Sequence, residues 1–176
     1  MHSAKLVLLP ETQTYAGKFP HILDLKLIWI LNNKQQVSFV LQQGDLTQNN
    51  NHREWTIVEN AFTKLNNKVP CVLAAGNPDL GSADGKFADT RNTALFNTYF
   101  PITMMQMLPS FAGVAENNTE NAYYVFKTGK IKWLVITPGF GPRNSILKWA
   151  DSVVKKYPSH TVIINTHNYT YSDSTR

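Results

Sequence analysis

Apolar and polar residues alternate along the first half of the chain in segments that predict strands and helices in turn. The apolar run from Ala4 to Leu9 predicts a short strand, Val37 to Leu41 a second and Val69 to Ala75 a third. Between them, His21 to Leu31 and Arg53 to Leu65 space their apolar residues like one face of a helix. This order predicts right-handed βαβ units and a largely parallel sheet.

The second half of the chain has a weaker and more mixed pattern. Tyr123 to Phe126 and Ile131 to Ile136 flank a short turn and predict a hairpin. Ile146 to Tyr157 predicts a helix, and Thr161 to Asn165 predicts a final strand. With no internal repeat and no linker, residues 1–176 are expected to form a single α/β domain with mixed, largely parallel sheets and flanking helices.

Aromatic residues are expected to contribute mainly to the core. The first predicted helix carries apolar residues at helical spacing: Ile22, Leu25, Ile28 and Trp29. Trp29, Trp55 and Tyr99 have core-like spacing, so we expect them to be buried. The alternative is a sugar- or polymer-binding surface built from these three rings.

Charge and cysteine content exclude several classes of protein. There are 17 Lys and Arg residues against 12 Asp and Glu, so the net charge is +5. The basic residues are scattered and give no evidence for specific nucleic-acid binding, although they are compatible with an anionic substrate. The only cysteine, Cys71, excludes an internal disulfide and a multi-cysteine zinc site. Its apolar surroundings favour a buried structural thiol.

Targeting signals are absent from the sequence as it stands. No apolar stretch approaches the roughly 20 residues that span a bilayer. Met1 to Lys5 leads directly into the first predicted strand and not into a secretory leader. The sequence leaves a secreted or periplasmic origin open, and it does not indicate an oligomeric state.

Residues with metal-binding side chains follow four of the predicted strands. Taken alone, Gly44-Asp45 or Asn77 would be an ordinary turn, and His167 a core histidine. In parallel sheets, however, the carboxyl ends of the strands share one crevice. Oxygen and imidazole donors at those ends suit divalent metal ions, so we expect five residues to converge there: Glu11, Gln13, Asp45, Asn77 and His167.

The order of these motifs resembles the calcineurin-like metallophosphoesterases. Their motifs run D-x-H or D-x-Q, then G-D, G-N-H-D/E, a lone histidine and G-H-x-H. The matching segments here are Glu11-Thr12-Gln13, Gly44-Asp45, Gly76-Asn77-Pro78-Asp79 and Thr166-His167. The segment from Gly139 to Arg143 also looks like one branch of the family. The resemblance extends from Leu8 to Arg176 and implies a phosphoesterase sandwich that is incomplete at the C-terminus.

The resemblance implies a site for two divalent ions, Mn, Zn or Fe. Asp45 would bridge both ions, Glu11 and Gln13 would complete the first ion's ligands, and Asn77 and His167 would bind the second. Such ions orient a phosphate ester and lower the pKa of a bound water. The implied substrate is a small-molecule phosphate mono- or diester. Arg143 is either a phosphate contact or a surface arginine.

Three departures from the family pattern predict weak metal binding and impaired hydrolysis. Glu11 stands where the family has Asp, and Pro78 stands where it has the histidine that protonates the leaving group. No G-H-x-H motif occurs before Arg176, which removes two expected histidine ligands. The alternative to an impaired hydrolase is a non-catalytic binding domain that keeps the fold.

Overall fold

The structure is a computed structural model and describes residues 5–167. This part of the chain forms seven strands: β1 (Leu6–Leu9), β2 (Phe39–Gln42), β3 (Cys71–Val72), β4 (Phe111–Ala115), β5 (Asn118–Thr128), β6 (Ile131–Thr137) and β7 (Thr161–Ile164). It also forms six α-helices: α1 (Gln13–Lys18), α2 (Pro20–Asn32), α3 (His52–Phe62), α4 (Ala94–Tyr99), α5 (Ile102–Met105) and α6 (Asn144–Lys156). Short 3₁₀ turns lie at Thr63–Leu65 and Asn77–Asp79.

The first sheet is parallel and has the order β1-β2-β3, as the alternating pattern predicts. Its third strand is shorter than the predicted Val69–Ala75, since only Cys71 and Val72 form the ladder. Pro70, which precedes them, has no N–H to donate and contributes only its carbonyl, to Val40 N at 2.8 Å. The carboxyl ends of these three strands lie at one edge of the sheet.

The second sheet is mixed and has the order β4-β5-β6-β7. Strands β5 and β6 form the predicted antiparallel hairpin, while β6 and β7 run parallel because α6 crosses between them. Strand β4, which the sequence pattern did not indicate, pairs with β5 through an irregular register. The expectation of an α/β fold with mixed, largely parallel sheets and flanking helices is confirmed.

The two sheets pack face to face over one large core. Phe39 of the first sheet stacks on Phe126 of the second, with 4.1 Å between ring centroids. Along β5, Tyr124 belongs to this core, whereas the neighbouring Tyr123 packs on the opposite face against Trp149 of α6. Successive side chains of β5 point to opposite faces of the second sheet, and both faces are covered. The result is a layered sandwich.

Helix α2 buries a different face from the one predicted. Its buried residues are Leu23, Leu27 and Ile30. Leu25 and Trp29, from the predicted apolar face, are 62% and 58% exposed. The prediction was wrong because this helix has apolar residues on most of its sides, so that spacing alone does not select the side that packs.

The three aromatic residues expected in the core have three different environments. Trp55 is fully buried, and its indole N–H donates to Asn50 Oδ1 at 2.8 Å. Tyr99 is half-buried and stacks on Trp55. Trp29 is exposed, so the prediction of a core position is wrong for this residue. Within residues 5–167, none of the helices has the length and apolar character needed to cross a membrane.

Candidate metal centre

Three of the predicted ligands meet at the carboxyl ends of the strands. Glu11 follows β1, Asp45 follows β2, and His167 follows β7 in the second sheet. Each residue offers one ligand atom, and these atoms all lie within 4.8 Å of one another. Asp45 is buried, His167 is half-buried and Glu11 is exposed. The cluster thus spans both sheets and is accessible from one side.

The loop after β2 holds Asp45 in an unusual backbone conformation. Asp45 has φ of +52° and follows Gly44, which has φ of +93°. A non-glycine residue in this left-handed region costs about 1–3 kcal/mol. The conformation is maintained because the Asp45 carbonyl accepts hydrogen bonds from Thr12 N at 2.9 Å and Gln13 N at 2.8 Å. Backbone strain of this kind concentrates at functional sites.

Two glycines allow the parts of the site to approach one another closely. A Cβ atom at Gly44 would lie 2.6 Å from the Cβ of His167. A Cβ atom at Gly76 would lie 1.9 Å from Oδ1 of Asp45. The glycines of the two sequence motifs therefore provide room for the metal-binding side chains, and Gly44 also adopts a backbone conformation that favours glycine.

The ring of His167 is oriented so that its Nε2 atom faces Asp45. Nδ1 of His167 lies 2.9 Å from the carbonyl oxygen of Gln43, which can only accept, so Nδ1 carries the hydrogen. In the neutral ring, Nε2 is then a lone-pair donor, and it lies 3.1 Å from Oδ1 of Asp45. That oxygen is buried and has no hydrogen-bond partner. Two such atoms face each other stably only with a proton or a metal ion between them.

The distance also agrees with metal coordination. Protein nitrogen and oxygen ligands lie roughly 2.0–2.2 Å from ions such as zinc, so two ligands of one ion lie about 3 Å apart at octahedral angles and about 3.4 Å apart at tetrahedral angles. The separation of 3.1 Å between Nε2 of His167 and Oδ1 of Asp45 is of this size. The carbonyl of Gln43 fixes the imidazole tautomer, as is usual for a metal-ligating histidine.

Electrostatics at the site also favour a bound cation. Burial, together with the nearby charges of Asp79 and Glu11, raises the pKa of Asp45 from 3.8 to about 7. His167 and the N–H of Asn77 act in the opposite direction. Because burial disfavours an ionised Asp45, a divalent ion that neutralises this group would stabilise the folded protein.

The neighbouring Asp79 is also buried, but its carboxylate is fully used in holding loops together. Its two oxygens accept hydrogen bonds from the backbone N–H groups of Leu46, Thr47 and Gly76, and from the Thr47 hydroxyl. All four distances are 2.8–2.9 Å. Burial raises the pKa of Asp79 to about 6 in spite of these hydrogen bonds, which lower it. Asp79 joins the loop after β2 to the loop after β3.

The remaining predicted residues lie around this centre. Gln13 and Asn77 are half-buried, and both have backbone N–H groups next to Asp45. Pro78 is buried within the Asn77–Asp79 turn. Arg143 lies at the exposed start of α6 and forms an ion pair with Glu116. Arg143 also lines a separate cavity, described below.

The sequence analysis did not identify the residues that connect the two sheets at this edge. The side chain of Asn165, two residues before His167, donates to the carbonyl of Gln42 at 2.8 Å. Its backbone N–H donates to Ile136 O at 2.9 Å. A polar residue directly after an apolar strand was the available signal for Asn165. This link brings the end of β7, and with it His167, to the end of β2.

An open cleft leads to the cluster. It has a volume of about 500 Å³ and is lined by Pro10, Glu11, Gln43, Thr166 and His167. The cleft is wide enough to admit a phosphate ester, and Asp45 lies buried beside its lining residues. The arrangement can therefore bind a cation at the base of a solvent-accessible opening.

Comparison with known proteins supports a phosphatase-type fold. The chain resembles purple acid phosphatase PPD1 from yellow lupin (Lupinus luteus) seeds with a TM-score of 0.52 and 13% sequence identity, over 93% of this chain and 30% of that one. It is also 26% identical over 167 residues to "Uncharacterized protein YvnB" of Bacillus subtilis (strain 168). That match covers 93% of this chain but only 12% of YvnB. No family model matches the sequence. The structural similarity shows that the chain shares its fold with part of that protein.

Proposed function

We propose that this domain is a metal-dependent phosphoester hydrolase whose metal ion is held by Glu11, Asp45 and His167. The main support is the buried Oδ1 of Asp45, which has no hydrogen-bond partner and faces Nε2 of His167 at 3.1 Å. When bound, a metal ion at this place would polarise the phosphate and lower the pKa of a water molecule. The chain's own residues supply the negative charge that balances the ion, an imidazole ligand and an open cleft.

The donor set supports borderline divalent metals, namely Mn, Zn or Fe. Two carboxylates and one imidazole suit these ions, and their combined charge of −2 balances one divalent cation. Gln13 and Asn77 are proposed as further oxygen ligands and would serve a second ion. Because only three strong ligands come together in the described residues, we expect micromolar or weaker affinity for the metal.

Pro78 determines which phosphate esters are suitable substrates. It occupies the position of the family's proton-donating histidine and is buried, with no side-chain donor. Leaving-group protonation must therefore come from water, and esters with a stable phenolate leaving group should react best. Restoring the donor with Pro78→His should raise activity on alkyl esters by up to the roughly 10²–10⁴-fold that a positioned acid contributes.

Pro78 also supports a second candidate function, a binding domain without catalysis. In that case metal and phosphate esters would bind in the cleft, and none would be hydrolysed. A metal-loaded Pro78→His variant distinguishes the two candidates. If it remains inert on both aryl and alkyl esters, the missing donor is not the limiting defect and the binding function is favoured.

The direct test combines metal analysis with an assay. Purified protein would be titrated with Mn²⁺, Zn²⁺ and Fe²⁺ by calorimetry and assayed with p-nitrophenyl phosphate and bis(p-nitrophenyl) phosphate. We expect metal-dependent hydrolysis that Asp45→Asn abolishes. Asp151→Asn, which removes an exposed carboxylate paired with Lys155, is the matched control and should leave both properties unchanged. Metal binding that survives in Asp45→Asn would contradict the proposed site.

A further inference from the structure

A second cavity adjoins the proposed metal centre. It has a volume of about 110 Å³, several times the roughly 10–15 Å³ that one water needs. Phe140 lines it, and the Phe140 ring lies 6.1 Å from the His167 ring between centroids. Leu80, directly after the Asn77–Asp79 turn, lines it as well. A substrate whose phosphate lies at His167 would therefore place its next atoms near this cavity.

The acidic group of the cavity is Glu120, which is 7% exposed. Its carboxylate accepts hydrogen bonds from the Thr93 hydroxyl at 3.1 Å, and from the side-chain amides of Asn97 at 2.9 Å and Asn121 at 3.3 Å. A carboxylate offers about four acceptor positions, so these neutral donors leave room for one more. Glu120 is thus a fixed, buried acceptor at this cavity.

The basic groups of the cavity are Arg91 and Arg143. Arg91 donates to the carbonyls of Phe140 and Gly141, which fixes its guanidinium beside the cavity. Arg143 pairs with Glu116 at the protein surface. A guanidinium has five N–H donors, more than either arginine uses in these contacts. The cavity therefore offers both donors and acceptors among its lining residues.

These donors and acceptors determine which kind of chemical group the cavity can bind. A second anionic group would be repelled by Glu120, and an apolar group would use none of the remaining hydrogen-bonding positions of Glu120 and the two arginines. A hydroxyl group both donates and accepts, so it can bond to the carboxylate and to an arginine at once. The ring of Phe140 adds an apolar surface for C–H groups. We propose that this cavity binds the sugar, or a similar polyol, of a sugar phosphate ester; this specificity rests on the proposed phosphoesterase function.

Binding of the sugar alone can be measured without metal or catalysis. Methyl α-D-glucopyranoside and myo-inositol would be titrated into the ¹⁵N-labelled protein and followed by NMR. We expect millimolar binding that shifts the amide signals of Gly139 and Phe140. Cyclohexanol, which has a ring but only one hydroxyl group, should bind at least fivefold more weakly. Equal binding of all three compounds, or no binding, would overturn the proposal.

Three variants make the test specific. Arg143→Ala should weaken sugar binding about fivefold, the value of roughly one hydrogen bond. Lys148→Ala removes an exposed cation from the same helix without touching the cavity and should have no effect. Gly139→Ser adds a side chain whose Cβ would lie 3.2 Å from Glu120 Cγ, so it should reduce binding through lost volume. Thermal unfolding would confirm that each variant is folded, and unchanged binding in both cavity variants would contradict the assignment.

An activity measurement separates this proposal from the proposed function. The p-nitrophenyl diester of glucose 6-phosphate would be compared with methyl p-nitrophenyl phosphate, because both release the same phenolate. We expect a higher kcat/KM for the sugar diester, and Gly139→Ser should lower its ratio to the kcat/KM of the methyl ester at least fivefold. Hydrolysis without sugar preference would overturn the subsite and keep the hydrolase. Sugar binding without hydrolysis of either ester would keep the subsite and overturn the hydrolase.

Discussion

Asp45 and Asp79 are two buried aspartates in neighbouring loops, and their surroundings are opposite. Asp79 accepts four hydrogen bonds of 2.8–2.9 Å. Asp45 has a buried oxygen with no hydrogen-bond partner, and this oxygen lies 3.1 Å from Nε2 of His167. Because an unsatisfied buried carboxylate is unfavourable, its retention beside a satisfied one indicates that it serves a ligand. Asp79 holds the loops together, and Asp45 is the aspartate that we propose as a metal ligand.

The largest expected effect is on stability and concerns Asp79. The change Asp79→Ala leaves the N–H groups of Leu46, Thr47 and Gly76 without acceptors in a buried place. We expect it to lower the free energy of unfolding by roughly 3–5 kcal/mol, measured by urea denaturation of the metal-free protein. Asp45→Ala, at an equally buried position, should cost much less. Similar losses of unfolding free energy in Asp79→Ala and Asp45→Ala would contradict the different roles given to the two aspartates.

The pH dependence of stability should sharpen the comparison. Burial raises the pKa of Asp45 from 3.8 in the unfolded chain to about 7 in the fold. Between these values the folded protein binds the proton more tightly, so stability without metal falls as the pH rises from about 4 to 7. The full difference between the two pKa values corresponds to roughly 4 kcal/mol, an upper limit.

Asp45→Asn should remove most of this dependence, since asparagine does not titrate. The contribution of Asp79 remains in that variant and should end near pH 6, where burial places its pKa. Urea denaturation at a series of pH values in the presence of a chelator would measure both curves. A wild-type curve that rises from pH 4 to 7 would show that Asp45 is ionised in the metal-free fold.

Metal affinity should depend more on Asp45 than on Asp79, which is the reverse of the order expected for stability. Loss of a group that merely orients a ligand costs roughly 10–100-fold in metal affinity, so loss of the ligand itself should cost at least about 100-fold. We therefore expect Asp45→Asn to weaken Mn²⁺ or Zn²⁺ binding by at least this factor in calorimetry. Asp79→Asn, studied at a temperature where it is folded, should change the affinity by less than about tenfold. The reverse order would identify Asp79 as the ligand.

The sequence could predict where the proposed ligands lie, but not which of the two aspartates has an oxygen without a hydrogen-bond partner. Strand order and the polar residues at strand ends were sufficient to place Glu11, Asp45 and His167 near one edge, because parallel strands end together. The difference between Asp45 and Asp79 depends on backbone N–H groups more than 30 residues away in the chain. No local pattern reports such contacts.

Two other features could not be predicted from the sequence, for related physical reasons. The packed face of α2 could not be identified because the helix is apolar on most sides, and Trp29 remains exposed in consequence. The sugar cavity joins residues from distant segments, such as Arg91 and Glu120, which belong to no shared motif. Neither feature follows from spacing along the chain, since both depend on how the two sheets pack together.

The smallest expected effect tests the contact that orients His167. In Gly44→Ala the new Cβ would lie 2.6 Å from the His167 Cβ, and the residue would keep a φ of +93°. Gly85→Ala is the matched control, because it also has positive φ, +71°, but nothing lies within 4 Å of its Cβ. Both variants should lose about 1 kcal/mol of stability from backbone strain.

Only Gly44→Ala should also displace the imidazole from Asp45, and we expect it to weaken metal binding about tenfold, within the range known for groups that position a ligand. Calorimetric titration of both variants with Mn²⁺ or Zn²⁺ measures the difference. Because the two variants share the same backbone strain, a drop in affinity in Gly44→Ala alone comes from the movement of His167. Equal affinities would mean that His167 contributes little to the metal centre, and Asp45 and Glu11 would then have to hold the ion by themselves.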